Sequence, residues 1–386
     1  MYRIALKMLF GDRAKYFGIV AGLTFAALLI IQQAGLFFGL LERCYANIRD
    51  VPAANVWVMD PQAKFMDDVK PLLDRELHRV RGVAGVEWAV PYYRGGLTAR
   101  LADGRLQDVF LIGLDDATLT GGPYRMVQGQ LLDLRRSQAV IVDRLAAEGK
   151  LARPAATPGG PRRPLVVGDT LEMNDQRAVV VGLADAPRIW GDSPVIYTLY
   201  SRARHFAPAQ RRRLSYILVR TSPGHDPGDV CRRINRVTGL AARTADELRD
   251  LTVAYVMRET AVPMLFGISV AFGFLIGTAI AGQMFYNFTI DNLRHFGTLK
   301  AMGLSNAAVA RMVLLQAFTV AVIGWALGLG AASAIGWQMR GTELRFLLPW
   351  QLFLGSLGAI LFISAGAALL SLRRVMRLEP AIVFRG

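Results

Sequence analysis

Two cysteines, four histidines and a scatter of carboxylates are the residues of this chain able to ligate a metal or attack a bond. Their spacing argues against both. His78, His205, His225 and His295 lie far apart, as do Cys44 and Cys231, whereas metal sites ordinarily draw several ligands from closely spaced positions. No metal site is expected. The acidic pairs Asp67-Asp68 and Asp115-Asp116 are immediate neighbours, and adjacent side chains diverge on a helix or strand. Acid–base catalysis needs two carboxyls converging in space, so these pairs read as solvated surface. There is no GxSxG elbow, HExxH helix or EF-hand loop, and no residue is assigned a catalytic role. A GxxxxGK[ST] loop is also missing, so this sequence offers ATP no P-loop. The cysteines leave two readings open. One is a disulfide tying the start of the middle segment to its end; the other is two unpaired thiols, since Cys44 lies beside an apolar span.

Polar character of a different kind marks a short basic segment, Arg294-His295-Phe296-Gly297-Thr298-Leu299-Lys300-Ala301-Met302-Gly303-Leu304-Ser305. It is too polar to lie in hydrocarbon and too short to be a domain, and long apolar runs bracket it. A loop of this length with both cations and apolar residues suits pressing against another protein.

Hydropathy defines what holds that segment. Of 386 residues, 53% are hydrophobic and 19% charged, and the mean hydropathy is +0.32. The charges crowd into the middle, the profile of a membrane protein with one large aqueous domain. A formal net charge of +15 raises the question of nucleic acid. The excess instead flanks the apolar runs or is scattered as arginine without any nucleic-acid-binding motif, so no such partner is expected. The bilayer is.

A hydrocarbon core about 30 Å thick needs roughly 20 mostly apolar helical residues. Phe17 to Leu41, Val262 to Phe288, Met312 to Trp337 and Trp350 to Leu372 meet that length. None carries a charged residue in its middle, so no proton relay or ion path is visible. The first is too long for a signal-peptide core and lacks a convincing cleavage site, so it reads as a retained helix. Arg3, Lys7, Arg13 and Lys15 precede the first span; Arg294, Lys300 and Arg311 separate the second from the third; Arg373, Arg374, Arg377 and Arg385 follow the fourth. These cations share one side only if both termini are cytoplasmic, which puts the large middle segment outside. Ile4 to Phe10, with Arg3, Lys7 and Arg13 interleaved, reads as an amphipathic helix in the headgroup plane.

From about Glu42 to Arg258 the pattern changes to short strands and helices. Asn55 to Met59 and Val86 to Val90 read as strands, and Val69 to Val80 has helical spacing. Leu97 to Leu101 and Leu106 to Ile112 flank Asp103-Gly104, a hairpin signal. Lys150 to Pro164 reads as a loop, followed by a small β-rich unit from Val166 to Gly182. Tyr216 to Arg220 is strand-like and precedes a helix from about Pro227 to Val237. Strand–helix–strand thus occurs near the start and again near the end, implying a mixed α/β domain of two lobes. Thr244-Ala245-Asp246-Glu247 has capping-box spacing. With no convincing breaker before Pro263, the helix it starts is expected to run almost directly into the second span as a stiff connection. Gly18/Gly22, Gly35/Gly39, Gly273/Gly277 and Gly324/Gly328 allow close helix packing, within one chain or between two copies.

One span, a large outer domain and three clustered spans resemble the MacB/FtsX-like permeases of ABC transporters over essentially the whole chain, most closely the DevC-like branch. Phe296 to Gly303 is similar to the family's cytoplasmic coupling segment, Arg377-Leu378-Glu379-Pro380-Ala381 to its C-terminal motif, and Val80 to Pro91 to its first outer-domain segment. Where family members carry a Glu shortly before Gly-Thr-Leu, this sequence has His295, which reads either as a pH-sensitive contact or as a surface histidine. The resemblance implies an α-helical membrane protein with four transmembrane helices and a two-lobed α/β extracytoplasmic domain, a MacB-like periplasmic core with a small β-rich insertion.

On this reading residues 1–16 form a cytoplasmic amphipathic helix, 17–41 the first transmembrane helix and 42–258 the periplasmic domain. Residues 259–290 form the second transmembrane helix, 291–311 the cytoplasmic coupling segment and 312–337 the third. Residues 338–349 are a short periplasmic loop, 350–372 the fourth transmembrane helix and 373–386 a cytoplasmic tail. The implied protein is a non-catalytic, homodimeric permease of the inner membrane. It works with two copies of an ABC ATPase that binds ATP and Mg²⁺. ATP-driven closure pushes on Phe296 to Gly303 and moves the outer domain without substrate crossing the spans, a process called mechanotransmission. A periplasmic adaptor and a TolC-like outer-membrane channel are the further partners, for export of a lipid, amphiphile, drug or peptide. The alternatives are lipoprotein release from the inner membrane and FtsX-like signalling to a cell-wall hydrolase. A ligand-sensing receptor would want a cytoplasmic output domain, and none follows the fourth span before Gly386.

Overall fold

The computed structural model describes residues 2–155, 160–186, 193–208, 213–339 and 345–376, and divides into two compact units, Met1–Leu40 with Ala261–Gly386, and Leu41–Thr260. The chain opens with α1 (Tyr2–Gly11) and α2 (Arg13–Arg49). Asp12 starts α2 by accepting the Lys15 N–H at 3.2 Å, the role of a helix N-cap. α1 is helical as its spacing predicts, but its environment is partly different from the headgroup plane. Ala5 and Leu9 are fully buried within the protein.

The outer unit begins with β1 (Val56–Met59), α3 (Asp74–Arg81), β2 (Val86–Arg100) and β3 (Leu106–Leu114). It continues through β4 (Arg125–Gln128), β5 (Ala139–Asp143), α4 (Arg144–Glu148), β6 (Thr170–Met173) and β7 (Gln176–Asp185). It ends with β8 (Val195–Leu199), α5 (Tyr200–Phe206), β9 (Tyr216–Thr221), α6 (Pro227–Thr238), β10 (Ala241–Thr244) and α7 (Ala245–Glu259). The two strand–helix–strand pieces read from the sequence interleave as one sheet in the order β10-β1-β9-β2, a split β-α-β arrangement. Strand alternation sorts its side chains. Val56, Val58, Ile217 and Val219 pack under α3 and α6 with Val80, Val230 and Ile234, while Trp57, Met59, Tyr216 and Leu218 pack on the other face with Leu248 of α7.

The β-rich insertion is larger than the unit read at Val166 to Gly182, because it recruits the second half of β2. β2 pairs with β9 over Val86 to Tyr92 and then with β3 from Tyr93 to Arg100. From there β3-β8-β5-β7 continues, and β6 pairs with both β7 and β2. The ring closes into a six-stranded barrel, which removes its exposed edges. Leu97, Val109, Leu111, Val140, Val142, Val180 and Ile196 are buried together in its core. The expected Asp103-Gly104 hairpin joins β2 to β3, with Arg100 opposite Leu106 and Gly104 at φ +81°.

Asp116 is exposed, as read, but the other acidic neighbours are at least partly buried. Asp115 is buried and accepts from both the N–H and the hydroxyl of Thr118, and Asp116 accepts the Ser201 N–H at 3.1 Å. Asp67 pairs with Arg94 at 2.6 Å. Each is committed to holding the fold.

The Thr244–Glu247 capping box forms, with Thr244 N–H on Glu247 at 3.0 Å and Glu247 N–H on the Thr244 hydroxyl at 3.2 Å. The stiff continuation expected after it does not. α7 stops at Glu259, and Thr260 is extended at φ −117°, ψ 156°. α8 (Val262–Asp291) then begins anew with Pro263 in its first turn. The reason is local: a proline ring clashes with the carbonyl four residues earlier, and for Pro263 that residue is Glu259. The Thr260 hydroxyl turns back to the Val256 carbonyl at 2.6 Å.

After α8 come α9 (Leu293–Ala301), α10 (Asn306–Gln338) and α11 (Trp350–Met376). α2, α8, α10 and α11 are long and apolar enough to cross a membrane. Their small-residue pairs are used within the chain. Gly18 and Gly22 face Met284 and Ile280, and Gly273 and Gly277 face Leu29, Ile30 and Ala26. Gly324 and Gly328 face Leu23 and Ala27, where an added Cβ would approach to 2.8 and 2.6 Å, and Gly35 faces Phe346. Side-chain hydrogen bonds add ties of about 0.6 kcal/mol each. Ser364 donates to the Ala317 carbonyl at 2.9 Å, Trp325 Nε1 to Ser356 at 3.1 Å, and Thr289 to Ser371 at 3.0 Å.

Candidate coupling site

The basic segment folds as α9 and a tight turn into α10. Its start is an elbow. Asn292, at φ −91°, ψ 8°, is the single residue between α8 and α9. Its N–H and its side-chain amide both donate to the Phe288 carbonyl, at 3.2 and 2.9 Å, while its carbonyl accepts from Phe296 N–H at 3.0 Å. Helical hydrogen bonding therefore spans the elbow. Lys15 pairs with Asp12 and with Asp291, tying the beginning of α2 to the end of α8.

The far end is a Schellman turn. Leu304 N–H reaches the Leu299 carbonyl at 3.1 Å and Gly303 N–H the Lys300 carbonyl at 2.9 Å, the double bond pattern that closes a helix at a left-handed residue. Gly303 supplies that residue at φ +95°, with nothing within 4 Å of a notional Cβ. Conformation, not crowding, demands glycine here. Ser305 then caps α10, its hydroxyl accepting Ala308 N–H at 3.3 Å.

Burial splits the predicted coupling residues into an anchor and a tip. Phe296 is fully buried, and Gly297 is buried beside it. Phe296 belongs to one apolar cluster with Leu9, Ile19, Val309 and Val313, and Leu293 and Leu304 pack on the same cluster. Leu299 and Lys300 are half-buried; Thr298, Ala301 and Gly303 are exposed, as are Arg294 and His295. Met302 is 69% exposed. The fold thus presents an apolar side chain, flanked by cations, on a rigid corner. Asn292 and Leu293 were not singled out by sequence reasoning; Leu304 and Ser305 close the basic segment it named, where Gly303 followed by Ser305 is a stop–start signal.

The remaining predicted residues lie elsewhere. Arg377, Glu379 and Pro380 fall outside the described residues. Cys44 and Cys231 form no disulfide: both are buried thiols. Cys231 is held on the inner face of α6 among Val230, Ile234 and Ala242, and burial pushes its thiol up to about 12, with the nearby Glu247 and Asp226 carboxylates adding to the effect. A side chain packed this way serves the core. Among the described residues no three His, Cys, Asp or Glu side chains converge on a metal-sized site.

Comparison with known proteins agrees with this architecture. The family described as MacB-like periplasmic core domain matches residues 17–237, and FtsX-like permease C-terminal matches 254–380. Uncharacterized ABC transporter permeases of Mycobacterium bovis and of two Mycobacterium tuberculosis strains are 24% identical over 220 residues, 57% of this chain and 58% of each relative. The match therefore spans somewhat over half the length of those relatives. Among solved structures, the periplasmic region of MacB from Actinobacillus actinomycetemcomitans is 15% identical, with 55% of this chain and 97% of that one covered and a TM-score of 0.36. The extracellular domain of the noncanonic ABC-type transporter YknZ from Gram-positive bacteria is 15% identical, covering 50% and 98%, with a TM-score of 0.34. The chain belongs to the FtsX/MacB-like family of ABC transporter permeases.

Proposed function

We propose that the corner formed by α9 and the turn to α10 is the docking face for an ATPase subunit, which binds ATP and Mg²⁺ and drives this permease by mechanical coupling. The observation that carries this reading is the division of a single short segment: Phe296 within α9 is fully buried, while Met302, at its C-terminal end, is 69% exposed. An exposed apolar residue between cations fits a protein partner, and a buried aromatic anchor lets force on the tip reach the helix bundle. Two permease copies act with two ATPase copies, with both termini and α9 in the cytoplasm and the outer unit outside. The work done is export of a lipid, amphiphile, drug or peptide, through a periplasmic adaptor and a TolC-like channel.

The test is Met302→Asp in the full permease, co-purified with its ATPase. Because Met302 is exposed, folding and thermal stability stay unchanged, and permease-stimulated ATP hydrolysis falls at least tenfold. Full stimulation by a well-folded Met302→Asp permease sinks the coupling assignment. Topology has its own check: a cysteine placed at Lys300 stays unlabelled by an impermeant maleimide in intact cells, and labelling would place α9 on the wrong side.

A further inference from the structure

A cavity of about 380 Å³ opens in the outer unit where β2 leaves β9 and enters the barrel. Its wall includes Asp67, Asp68 and Val69 from the loop after β1, Arg94 and Phe110 from β2 and β3, and Arg213. Arg94 is the member that calls for explanation. Its side chain is 0% exposed, and removing a guanidinium from water is costly unless its charge and its N–H groups are all matched. One group is: Nη2 donates to Asp67 Oδ1 at 2.6 Å. The guanidinium also lies 4.9 Å from the centre of the Phe110 ring, a favourable cation–π placement. Nε and Nη1, however, are buried without any acceptor from the protein.

The fold holds Arg94 in this position firmly. The Ser215 hydroxyl accepts the Arg94 N–H at 2.9 Å and donates to the Arg94 carbonyl at 3.0 Å. An arginine kept only for structure would be supplied with acceptors, as Asp67 supplies one, or its head would reach to solvent. Two idle donors on a wall residue point to an acceptor that arrives from outside.

Charge narrows the class of that acceptor. Asp68 is engaged by Lys70 Nζ at 3.1 Å and by the Lys64 N–H at 3.0 Å. Arg94 and Arg213 share the wall with Asp67 and Asp68, and Lys70, paired with Asp68 beside the wall, adds a third cation against the two carboxylates, which leaves one positive charge. A single negative charge balances the site; a phosphate dianion would overshoot it. Phe110 and Val69 add an apolar wall. We propose that this cavity binds a monoanionic carboxylate with a short apolar tail, the carboxylate facing Arg94 and Arg213 and the tail lying against Phe110 and Val69. The site is independent of the α9 corner and adds a ligand to the outer unit.

The full chain in detergent micelles is titrated with sodium butyrate at constant ionic strength, with butylammonium chloride and sodium phosphate as comparison probes, and thermal stability is followed. Butyrate gives a saturable rise in Tm that butylammonium does not, and phosphate requires at least tenfold higher concentration. Arg213→Glu, at an exposed position, keeps the fold and shifts the butyrate midpoint at least tenfold upward; Arg94→Gln abolishes the response. If Arg94→Gln does not fold, Arg213→Glu decides alone. A non-saturable butyrate effect, an equal response to butylammonium, tighter binding of phosphate, or an unchanged midpoint in Arg213→Glu overturns the assignment.

Discussion

At its C-terminal end α8 passes into α9 through one residue, Asn292, across which helical hydrogen bonds continue, whereas at its N-terminal end extended backbone at Thr260 separates it from α7. The two ends of α8 are thus built differently. At the α9 end, bonds from Asn292 to Phe288 and from Phe296 to Asn292 continue the helical pattern. Between α7 and α8 the helix is interrupted by extended backbone at Thr260, because Pro263 cannot follow Glu259 in one helix. The stiff rod expected from the sequence is instead interrupted at Thr260, while the other end of α8 bends at Asn292 with its helical bonds kept. The coupling proposed at α9 would therefore reach α8 along a hydrogen-bonded path.

The largest effect is expected from putting a proline into the elbow. Asn292→Pro removes the N–H bonded to Phe288 and clashes with that carbonyl, costing about 3 kcal/mol. A drop in Tm together with lost ATPase stimulation is the expected result, and a normally stable, normally stimulating Asn292→Pro permease would erase the contrast between the two ends.

A smaller effect belongs to the corner beyond α9. Gly303→Ala forces a Cβ into the left-handed region at φ +95°, costing about 1–2 kcal/mol. Since nothing lies within 4 Å of the new Cβ, the loss is conformational, and Gly303→Asn should recover part of it in the same thermal melt. Equal melting of the alanine and asparagine variants would mean that the left-handed turn is not what glycine provides here.

The smallest effect is expected at the break between α7 and α8. Ala261 has φ −75° and follows an extended Thr260, the backbone that proline and its preceding residue prefer. Ala261→Pro should change stability by less than about 1 kcal/mol, and ATPase stimulation should survive. Unfolding or uncoupling by Ala261→Pro would show that this end, too, carries an ordered hydrogen-bond path.

Much of this architecture was legible in the residues themselves. Apolar runs long enough to span hydrocarbon, cations at their flanks, the Asp103-Gly104 hairpin and the Thr244–Glu247 capping box are local signals, decided by neighbours within a few positions. The Phe296–Gly303 segment was legible for the same reason, as a polar interruption between two apolar runs. Pro263 was read too late, as a breaker at its own position rather than one that acts four residues earlier.

What only the tertiary structure decided involves residues far apart in sequence. Phe296 became an anchor and Met302 a tip because Leu9, Ile19, Val309 and Val313 cover one side of α9, and no spacing within the segment specifies that cover. Asp67 looked like half of a solvated acidic pair until β2 brought Arg94 to it. Cys44 and Cys231 looked like a possible staple until each was seen buried in its own packing. The β-rich insertion closed into a barrel only because β6 found the distal half of β2. Sequence periodicity specifies which face of an element is apolar; which distant element covers that face, and which charge is left facing a cavity, is set by long-range packing alone.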